Sequence, residues 1–418
     1  MPQLSDDCFA SGERLMTTDE ALARIAETVV PITGVERVGL RAARGRVLAE
    51  DVVALSAVPP HDNSAVDGYA IHFDDLASDA ETRLPVTGRA TAGHPLDRPA
   101  RRGEAVRIFT GAVMPGGPDT VMMQEDCRVD GDCVVIPPGI ARGANRRRAG
   151  EDTADGAAVL RAGHRLRPQD IGLAAAVGRP ELVVHRRPRV ALFSTGDELR
   201  EPDAPLGPGA IHDANRYLLA ALLDAMGCVV TDLGILADRE ADVRAALDRA
   251  AADHDLLFTS GGVSVGDEDH VKAAVEALGR LHFWRLAIKP GRPLALGRIG
   301  AVPFIGLPGN PVAAMVTFLR FARPFTLRLA GATEVAPTLY RLRAGFDHEK
   351  KRGRREWVRA RLATAADGAP VAKKFARQGA GILNSLVRSD GLVELPEAMT
   401  HLSQGTMVDF LPFSEVEG

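Results

Sequence analysis

The strongest candidate for a binding site is a glycine-rich turn, at the point where a strand-like run ends and a helix is expected to begin. The segment 259–269 reads Thr-Ser-Gly-Gly-Val-Ser-Val-Gly-Asp-Glu-Asp. The glycines allow successive backbone N–H groups to point into one hollow, and the start of the helix adds partial positive charge, so the turn suits a phosphate. The residues of this predicted phosphate site are Gly261, Gly262, Val263 and Ser264.

The same turn ends in three acidic residues, Asp267, Glu268 and Asp269. Carboxylates beside a phosphate would repel it unless a divalent cation lay between them, and Mg²⁺ is commonly held in this way. Asp269 is therefore a candidate metal ligand. A structural interpretation, in which Asp267 only caps the helix, is equally compatible with the sequence.

Two basic residues, Arg285 and Lys289, flank a short apolar run. Lys289 also begins the segment Lys-Pro-Gly-Arg-Pro, whose prolines restrict the backbone, so the pair could clamp an oxyanion. Surface cations are usually only solvated. This pair, however, follows a hydrophobic strand that we expect to end at the ligand edge of a sheet, which favours a function.

Other polar residues near strand ends have simple structural explanations. In Leu-Pro-Gly-Asn-Pro, residues 307–311, Asn310 suits a helix cap and Pro311 the first helical position. Glu198 is one of two adjacent acids after a buried-type strand, and the pair could either cap a helix or bind a metal. Asp238 lies just beyond another strand and, taken singly, is no better than a surface acid.

Two segments nearer the N-terminus also contain dense polar residues. Residues 59–70 are rich in small polar and turn-forming residues, and residues 145–152 place three arginines before two acids. In isolation these segments are typical of a turn and of a solvated charge run. Only their combination with the strand-end motifs indicates a function.

The elements that must position these residues alternate between strands and helices from residue 188 to residue 330. Buried-type strands are predicted at 190–194, 229–236 and 256–260, with amphipathic helices between them. Strands separated by helices of this length predict right-handed crossovers and a mostly parallel sheet. Ligands of such sheets bind beyond the carboxyl ends of the strands.

The rest of the chain predicts a different architecture. Helical spacing begins at Thr18, with Thr18 or Asp19 as the N-cap, and the helix should end at Pro31. Short β-like runs broken by Gly and Pro follow, and β-like runs return after Thr333, where 357–362 alternates. We therefore predict four regions: 15–53 with 153–187, 54–152, 188–330 and 331–418.

Composition excludes several classes of protein. The 418 residues have 45% hydrophobic and 25% charged side chains and a net charge of only -4, which is typical of a globular protein without nucleic-acid or membrane partners. There is no secretory signal or apolar run long enough to span a bilayer, so we expect a cytoplasmic protein. The four cysteines lack the spacing of a zinc site or a disulfide framework.

Seven motifs, in the same order, give the chain its resemblance to the molybdopterin molybdenumtransferase family, the MoeA-type proteins that include the C-terminal domain of gephyrin. The resemblance extends from about Thr18 to Phe413. The motifs are Asp-Asn-Ser-Ala-Val-Asp-Gly-Tyr-Ala at 62–70, Phe-Thr-Gly-Ala-Val-Met-Pro at 109–115, Arg147 with Gly-Glu-Asp at 150–152, and the segments 194–199, 261–269, 288–293 and 307–311.

The resemblance implies a fold, an assembly and a site. It implies a central α/β domain with a mostly parallel sheet (molybdopterin-binding, Mog-like), an inserted β-rich domain, an N-terminal helical linker region and a C-terminal β domain, assembled as an elongated homodimer. It also implies a site between two subunits, in which one set of residues acts across the dimer from the other. The first set is Asp67, Thr110, Arg147 and Asp152, and the second is Glu198, Asp238, Asp269, Arg285, Lys289, Pro308 and Pro311.

The function implied is insertion of molybdenum from molybdate into adenylated molybdopterin, with release of AMP. Mg²⁺ would be held by Asp67, Glu198, Asp238 and Asp269. The adenylyltransferase that supplies the substrate and the proteins that mature molybdoenzymes are expected partners. Two residues depart from the family pattern: Val66 replaces a methionine, and Arg285 replaces a lysine. The planar guanidinium group of arginine differs in geometry from the ammonium group of lysine.

Two alternatives remain at this stage. A molybdopterin adenylyltransferase has the same type of glycine turn, but it would need ATP and lacks both the 62–70 segment and the C-terminal β domain. A non-catalytic dimeric scaffold is the other alternative. The complete set of acids and the lysine disfavours a scaffold, because unpaired buried charges are unfavourable without a ligand.

Overall fold

The computed structural model describes residues 15–32, 34–262, 270–291 and 293–416, without the side chain of Phe283. Within these ranges the helices are α1 Thr18–Thr28, α2 Pro168–Ala176, α3 Asn215–Ala225, α4 Glu240–Asp253, α5 His270–Leu278, α6 Pro311–Thr317, α7 Arg323–Leu329 and α8 Asn384–Val387. No helix of this part of the chain is both long and apolar enough to cross a membrane.

The first helix begins one residue earlier than the sequence indicated. Thr17 is the N-cap: its hydroxyl accepts from the backbone N–H of Glu20 at 3.2 Å, and the Glu20 carboxylate accepts from the N–H of Thr17 at 2.8 Å. This capping box satisfies two helix-start donors, which is why Thr18 lies inside the helix and is buried. The predicted caps, Thr18 and Asp19, were therefore wrong by one or two positions, and the helix ends at Thr28, before Pro31.

Residues 35–185 form an inserted sheet and the strands that lead into and out of it. The strands are β1 Val35–Gly39, β2 Val52–Val53, β3 Asn63–Ser64, β4 Gly68–Ile71, β5 Thr82–Ala90, β6 Ala105–Ile108, β7 Thr120–Met123, β8 Arg128–Asp130, β9 Cys133–Ile136, β10 Arg146–Arg147, β11 Ala158–Leu160 and β12 Glu181–His185. Six of them form one sheet in the order β7-β4-β6-β5-β9-β8. Outside it, β1 pairs with β12 and β2 with β11, so the chain segments on either side of the inserted sheet meet.

The central region contains β13 Arg189–Thr195, β14 Leu199–Arg200, β15 Ile211–His212, β16 Val229–Leu236, β17 Leu256–Ser260, β18 Gly279–Arg285, β19 Ile288–Lys289, β20 Pro293–Ile299 and β21 Val302–Leu307. Its sheet has the order β16-β13-β17-β21-β20-β18. The first four strands are parallel, as predicted. β20 is antiparallel to both of its neighbours, so β18 runs in the same direction as β21.

Helices cover both faces of this sheet. Along β13 and β17 the side chains alternate between two apolar clusters: Leu192 and Phe258 face α3 and α6, whereas Phe193 and Leu257 face α4 and α5. All four are fully buried, and burial of each such side chain contributes about 1.5–3 kcal/mol. The packing fixes the strand ends Thr195, Ser260 and Leu307 at one edge, with Ser194 opposite Ser260 and Ser260 opposite Leu307.

The C-terminal region contains a six-stranded sheet and a separate two-stranded sheet. Its strands are β22 Tyr340–Ala344, β23 His348–Glu349, β24 Arg355–Thr364, β25 Pro370–Lys374, β26 Gly391–Leu395, β27 His401–Leu402 and β28 Met407–Pro412. The six-stranded sheet has the order β19-β24-β25-β22-β28-β26, and pairing of β24 with β26 closes it, while β23 pairs with β27. The alternation predicted for 357–362 was wrong, because residues 356–360 are all buried inside this closed sheet.

Candidate active site

A cavity of about 320 Å³ lies at the carboxyl edge of the central sheet. Its walls come from the ends of β13, β17 and β21, from the start of α3, and from one loop of the C-terminal region. Of the residues predicted from the sequence, four line it: Glu198, Gly261, Asn310 and Pro311. Thr195, Asn215, Ser260, Gly309 and Gly381 are further lining residues that sequence reasoning did not select.

The glycine turn after β17 is shaped by backbone conformation and by lack of space. Gly261 and Gly262 have φ angles of +87° and +60°, which L side chains rarely adopt. A Cβ atom on Gly262 would lie 2.5 Å from Oγ1 of Thr195 and 2.8 Å from Cγ2 of Val271. Glycine is therefore required here for tight packing against β13 and α5.

One residue of the predicted phosphate site uses its backbone N–H within the fold. The backbone N–H of Gly261 donates to the carbonyl oxygen of Leu307 at 3.0 Å, so it is not free to bind a phosphate. This bond instead joins the glycine turn to the neighbouring loop. Three predicted residues, Val263, Ser264 and Asp269, lie outside the described residues.

Asn215 joins two of the cavity loops. Its side-chain amide donates to Oγ of Ser260 at 2.8 Å and to the carbonyl oxygen of Gly309 at 2.7 Å. The Ser260 hydroxyl in turn donates to the carbonyl oxygen of Pro308 at 3.2 Å. The sequence offered little signal for this role, since an asparagine at the start of a helix is ordinarily a cap.

The loop after β21 has the predicted backbone but not the predicted cap. Asn310 is the N-cap residue of α6 and Pro311 is the first helical residue, yet the Asn310 side chain makes no capping hydrogen bond. It is exposed at the cavity instead. The C-terminal region closes this side, because the N–H of Val312 donates to the carbonyl oxygen of Ala380 at 3.0 Å.

The acids of the central region differ in position. Glu198 is exposed at the cavity, and its backbone carbonyl accepts from the N–H of Ile211 at 2.8 Å. The chain continues into β14, so the suggestion that Glu198 belongs to a helix cap was wrong. Asp238 is half-buried two residues beyond the end of β16, at the same sheet edge, but it does not line the cavity.

Arg285 and Lys289 are separated by a change of sheet. Arg285 ends β18 and its side chain is exposed. Lys289 belongs to β19, which pairs with β24 of the C-terminal sheet, and its Nζ lies 2.8 Å from Oε1 of Glu356. The strand expected to carry the pair to the ligand edge thus ends at Arg285. Neither side chain lines the cavity.

The inserted region brings its own motifs together. Pairing of β3 with β10 places Asn63 opposite Arg147. Asp67 accepts from the backbone N–H of Thr110 at 2.8 Å and from its hydroxyl at 2.7 Å, and these bonds hold the pKa of Asp67 below its usual range. Segments that in isolation resembled a turn and a charge run therefore form one surface cluster.

This surface cluster is separate from the cavity. Asp67, Thr110, Arg147 and the exposed Asp152 do not line it, and Arg147 instead pairs with Glu151, Nε to Oε1 2.5 Å. Across the described ranges, no three His, Cys, Asp or Glu side chains are grouped so that they could hold a metal ion. Among the described residues, predicted site residues therefore form two separate groups, one at the cavity and one in the surface cluster.

Comparison with known proteins identifies the family. Three family models match in succession: the MoeA N-terminal region (domain I and II) at residues 16–178, a probable molybdopterin binding domain at 191–328, and the MoeA C-terminal region (domain IV) at 341–413. The molybdopterin molybdenumtransferase of Haemophilus influenzae is 36% identical over 97% of this chain and 100% of its own length. The chain belongs to the molybdopterin molybdenumtransferase family.

Other members of the molybdopterin molybdenumtransferase family agree with this assignment. The molybdopterin molybdenumtransferase of Nostoc sp. is 38% identical over 88% of this chain and 87% of its own length. A crystal structure of a molybdopterin biosynthesis MoeA protein from Pyrococcus horikoshii OT3 superposes with a TM-score of 0.80 and 30% identity, covering 96% of this chain and 100% of that chain. The predicted fold class and the predicted family are therefore confirmed, and the chain is an enzyme of this family.

Proposed function

We propose that this enzyme inserts molybdenum from molybdate into adenylated molybdopterin and releases AMP in the same reaction. The observation that carries the proposal is the cavity formed by the loops after β13, β17 and β21. Three strand ends converge there, and a double-glycine turn brings backbone close to the ligand space. Such convergence at the carboxyl edge of an α/β sheet is where phosphorylated ligands bind.

The chain's own residues would hold the adenylated pterin. Gly262 precedes α5 in the chain, with residues 263–269, outside the described ranges, between them, and the N-terminal end of this helix favours negative charge, so the phosphates would lie beside it. Asn215 fixes the two loops on either side through Ser260 and Gly309. Fixed loops bind the substrate in one orientation with little loss of flexibility on binding.

A magnesium ion is proposed to bind between the substrate phosphates and the carboxylates at this edge. Glu198 is exposed at the cavity and Asp238 lies at the same sheet edge, and Mg²⁺ usually takes one or two carboxylates together with oxygens of the substrate phosphates. Glu198 and Asp238 would hold the ion, with Asp269 and Asp67 as further proposed ligands. When bound, Mg²⁺ would neutralise part of the phosphate charge.

Lys289 and Arg285 would bind molybdate. Both are cations close to the junction of the central and C-terminal sheets, and the Lys289 side chain is 45% exposed. An ammonium group has three N–H donors, and the pair with Glu356 uses one of them. The two remaining donors are available to an oxyanion.

We also propose that the active unit is a homodimer, in which the surface cluster of one copy faces the cavity of the other. Support comes from the separation of Asp67 and Thr110 from the cavity of their own chain. Mixing an Asp67→Ala variant with a Glu198→Ala variant tests this arrangement. If each site needs one residue from each copy, random reassociation should restore about a quarter of wild-type turnover; a mixture as inactive as its components would refute the shared site.

The direct test is a reaction of the purified protein with adenylated molybdopterin, Mg²⁺ and molybdate, followed by chromatography of AMP. We expect AMP release that depends on molybdate. Parallel reactions contain ATP with unmodified molybdopterin. Consumption of ATP in those reactions would identify an adenylyltransferase, and no turnover in any reaction would favour a scaffold.

The role of Lys289 has its own test. Lys289→Ala should lose most molybdate-dependent AMP release, because the cation proposed to bind the oxyanion is absent, while the fold remains intact by circular dichroism. Lys351→Ala is the matched control, since Lys351 is an exposed lysine in the loop between β23 and β24 of the C-terminal region. Unchanged turnover of Lys289→Ala would remove this lysine from the mechanism.

A further inference from the structure

The geometry points to Glu356 and His348 as residues that position Lys289 for the oxyanion, an inference that rests on the proposed role of Lys289. Neither residue belongs to any of the seven motifs. Both lie in the C-terminal region, Glu356 on β24 and His348 on β23, 59 or more residues further along the chain than Lys289. The C-terminal region would therefore contribute to molybdate binding through the position of Lys289.

Strand pairing sets the distance between the lysine and the carboxylate. Lys289 and Glu356 are register partners in the parallel pair β19 and β24. Neighbouring strands lie about 4.8 Å apart, so partner side chains stand side by side on one face of the sheet. The Nζ of Lys289 reaches Oε1 of Glu356 at 2.8 Å, and backbone and side chain thus fix the ammonium group together.

A second group fixes the carboxylate. His348 Nε2 lies 3.1 Å from the same Oε1 atom of Glu356, and its Nδ1 lies 3.4 Å from Nζ of Lys374. An ammonium group can only donate, so Nδ1 accepts from Lys374 and the proton of the neutral ring lies on Nε2, where it donates to Glu356. Glu356 is thus held between His348 and Lys289.

Burial makes this arrangement rigid. The side chains of Glu356 and His348 are only 5% and 11% exposed, whereas that of Lys289 is 45% exposed. Burial raises the pKa of Glu356, but the hydrogen bonds from His348 and Lys289 outweigh it and hold the pKa below its usual value. The carboxylate therefore stays ionised, and Lys289 is the solvent-exposed member of its ion pair.

A purely structural ion pair would not require this geometry. Pairs with a solvent-exposed member usually contribute at most about 1 kcal/mol, because the ordering of a long side chain offsets the attraction. Here the buried Glu356 is hydrogen-bonded to His348, and it fixes the position of the Lys289 ammonium group, which remains accessible to solvent.

Labelling with an amine-reactive ester, followed by mass spectrometry of the full-length protein, tests the positioning without any assay of turnover. Lys289 in Glu356→Gln should be labelled severalfold faster than in the wild type, because the amine is no longer held by a carboxylate. Lys351 is the internal control and should not change. Equal labelling rates of Lys289 in the two proteins would overturn the inference.

Kinetics test the consequence for molybdate. Glu356→Gln should raise the KM for molybdate about tenfold while kcat changes less than twofold, since the lysine remains but is not held. Glu349→Gln is the matched control, because Glu349 pairs with the exposed His401 on the neighbouring two-stranded sheet of the same region. An unchanged KM in Glu356→Gln would count against the inference.

A double variant separates positioning from a general structural effect. In a Lys289→Ala background, Glu356→Gln should have no further effect on the KM for molybdate. An equal effect in both backgrounds would show that Glu356 acts independently of Lys289. If Lys289→Ala alone left KM and turnover unchanged, the proposed molybdate role of the lysine would fail, while the labelling result would still decide the positioning.

Discussion

Replacement of Gly262 by alanine should damage the glycine turn more than any other single methyl group added near the cavity. The turn lies between β17 and α5, and its geometry depends on the absence of a side chain. The effect has two parts, a conformational one and a steric one, and the chain offers a control that separates them.

The magnitude follows from the local geometry. A residue other than glycine in the left-handed region costs about 1–2 kcal/mol, and the φ of Gly262 is +60°. The added Cβ would also lie 2.5 Å from Oγ1 of Thr195 and 2.8 Å from Cγ2 of Val271, both buried side chains, and such overpacking adds about 1–3 kcal/mol. We therefore expect Gly262→Ala to lower the free energy of unfolding by about 2–5 kcal/mol.

Gly300→Ala is the matched control. Gly300 has a φ of +57°, and a Cβ atom there would have no neighbour within 4 Å, so this variant has the conformational part alone. In urea denaturation, the free energy of unfolding of Gly262→Ala should be lower than that of Gly300→Ala by the steric contribution alone. The rate of AMP release should fall in Gly262→Ala only. Equal stability of the two variants would refute the packing argument, and the further change Thr195→Ala should restore part of the loss.

Two more predictions concern other contacts. Asn215→Ala removes the bonds to Ser260 and Gly309 and should lower the free energy of unfolding by about 1–2 kcal/mol and raise the KM for the adenylated pterin; an unchanged KM would show that the loops do not need this link. The ion pair with Arg98 lowers the pKa of Glu104 from 4.5 to about 2. The ionised carboxylate therefore stabilises the fold above pH 4.5, and this contribution is lost as the pH falls towards 2. Glu104→Gln should therefore be less stable by about 1–2 kcal/mol at pH 7, with a difference that closes on acidification; a difference independent of pH would contradict this.

Local sequence signals were sufficient for the elements that carry the cavity. Buried-type runs of five to seven residues, separated by amphipathic helices, placed the ends of β13, β17 and β21 at one edge because crossover handedness leaves few alternatives. The antiparallel strand β20, next to the edge strand β18 of this sheet, was not predicted. The sequence signal for it is the two-residue turn Gly300-Ala301 between β20 and β21, in which Gly300 has a positive φ.

Contacts between distant segments could not be predicted in the same way. The N–H of Gly261 is bound by Leu307, and Lys289 by Glu356, and neither partner is specified by the residues around the motif. The 286–289 segment was expected to continue β18. Instead, residues 288–289 pair with β24, which lies about 70 residues later in the chain and belongs to another sheet. Burial of residues 356–360 on both faces likewise depends on closure of that sheet.

The inserted sheet is attached to the rest of the molecule at one narrow point. The N–H of Ala54 donates to the carbonyl oxygen of Ala157 at 2.8 Å, and the N–H of Val58 to that of Thr153 at 2.8 Å. Chains held this close can be rejoined by a short turn with little loss of chain entropy. Excision of the inserted sheet should thus leave a folded remainder that keeps Glu198 and the cavity while lacking Asp67. In the proposed dimer, an intact copy would supply Asp67 to the cavity of such a truncated protein.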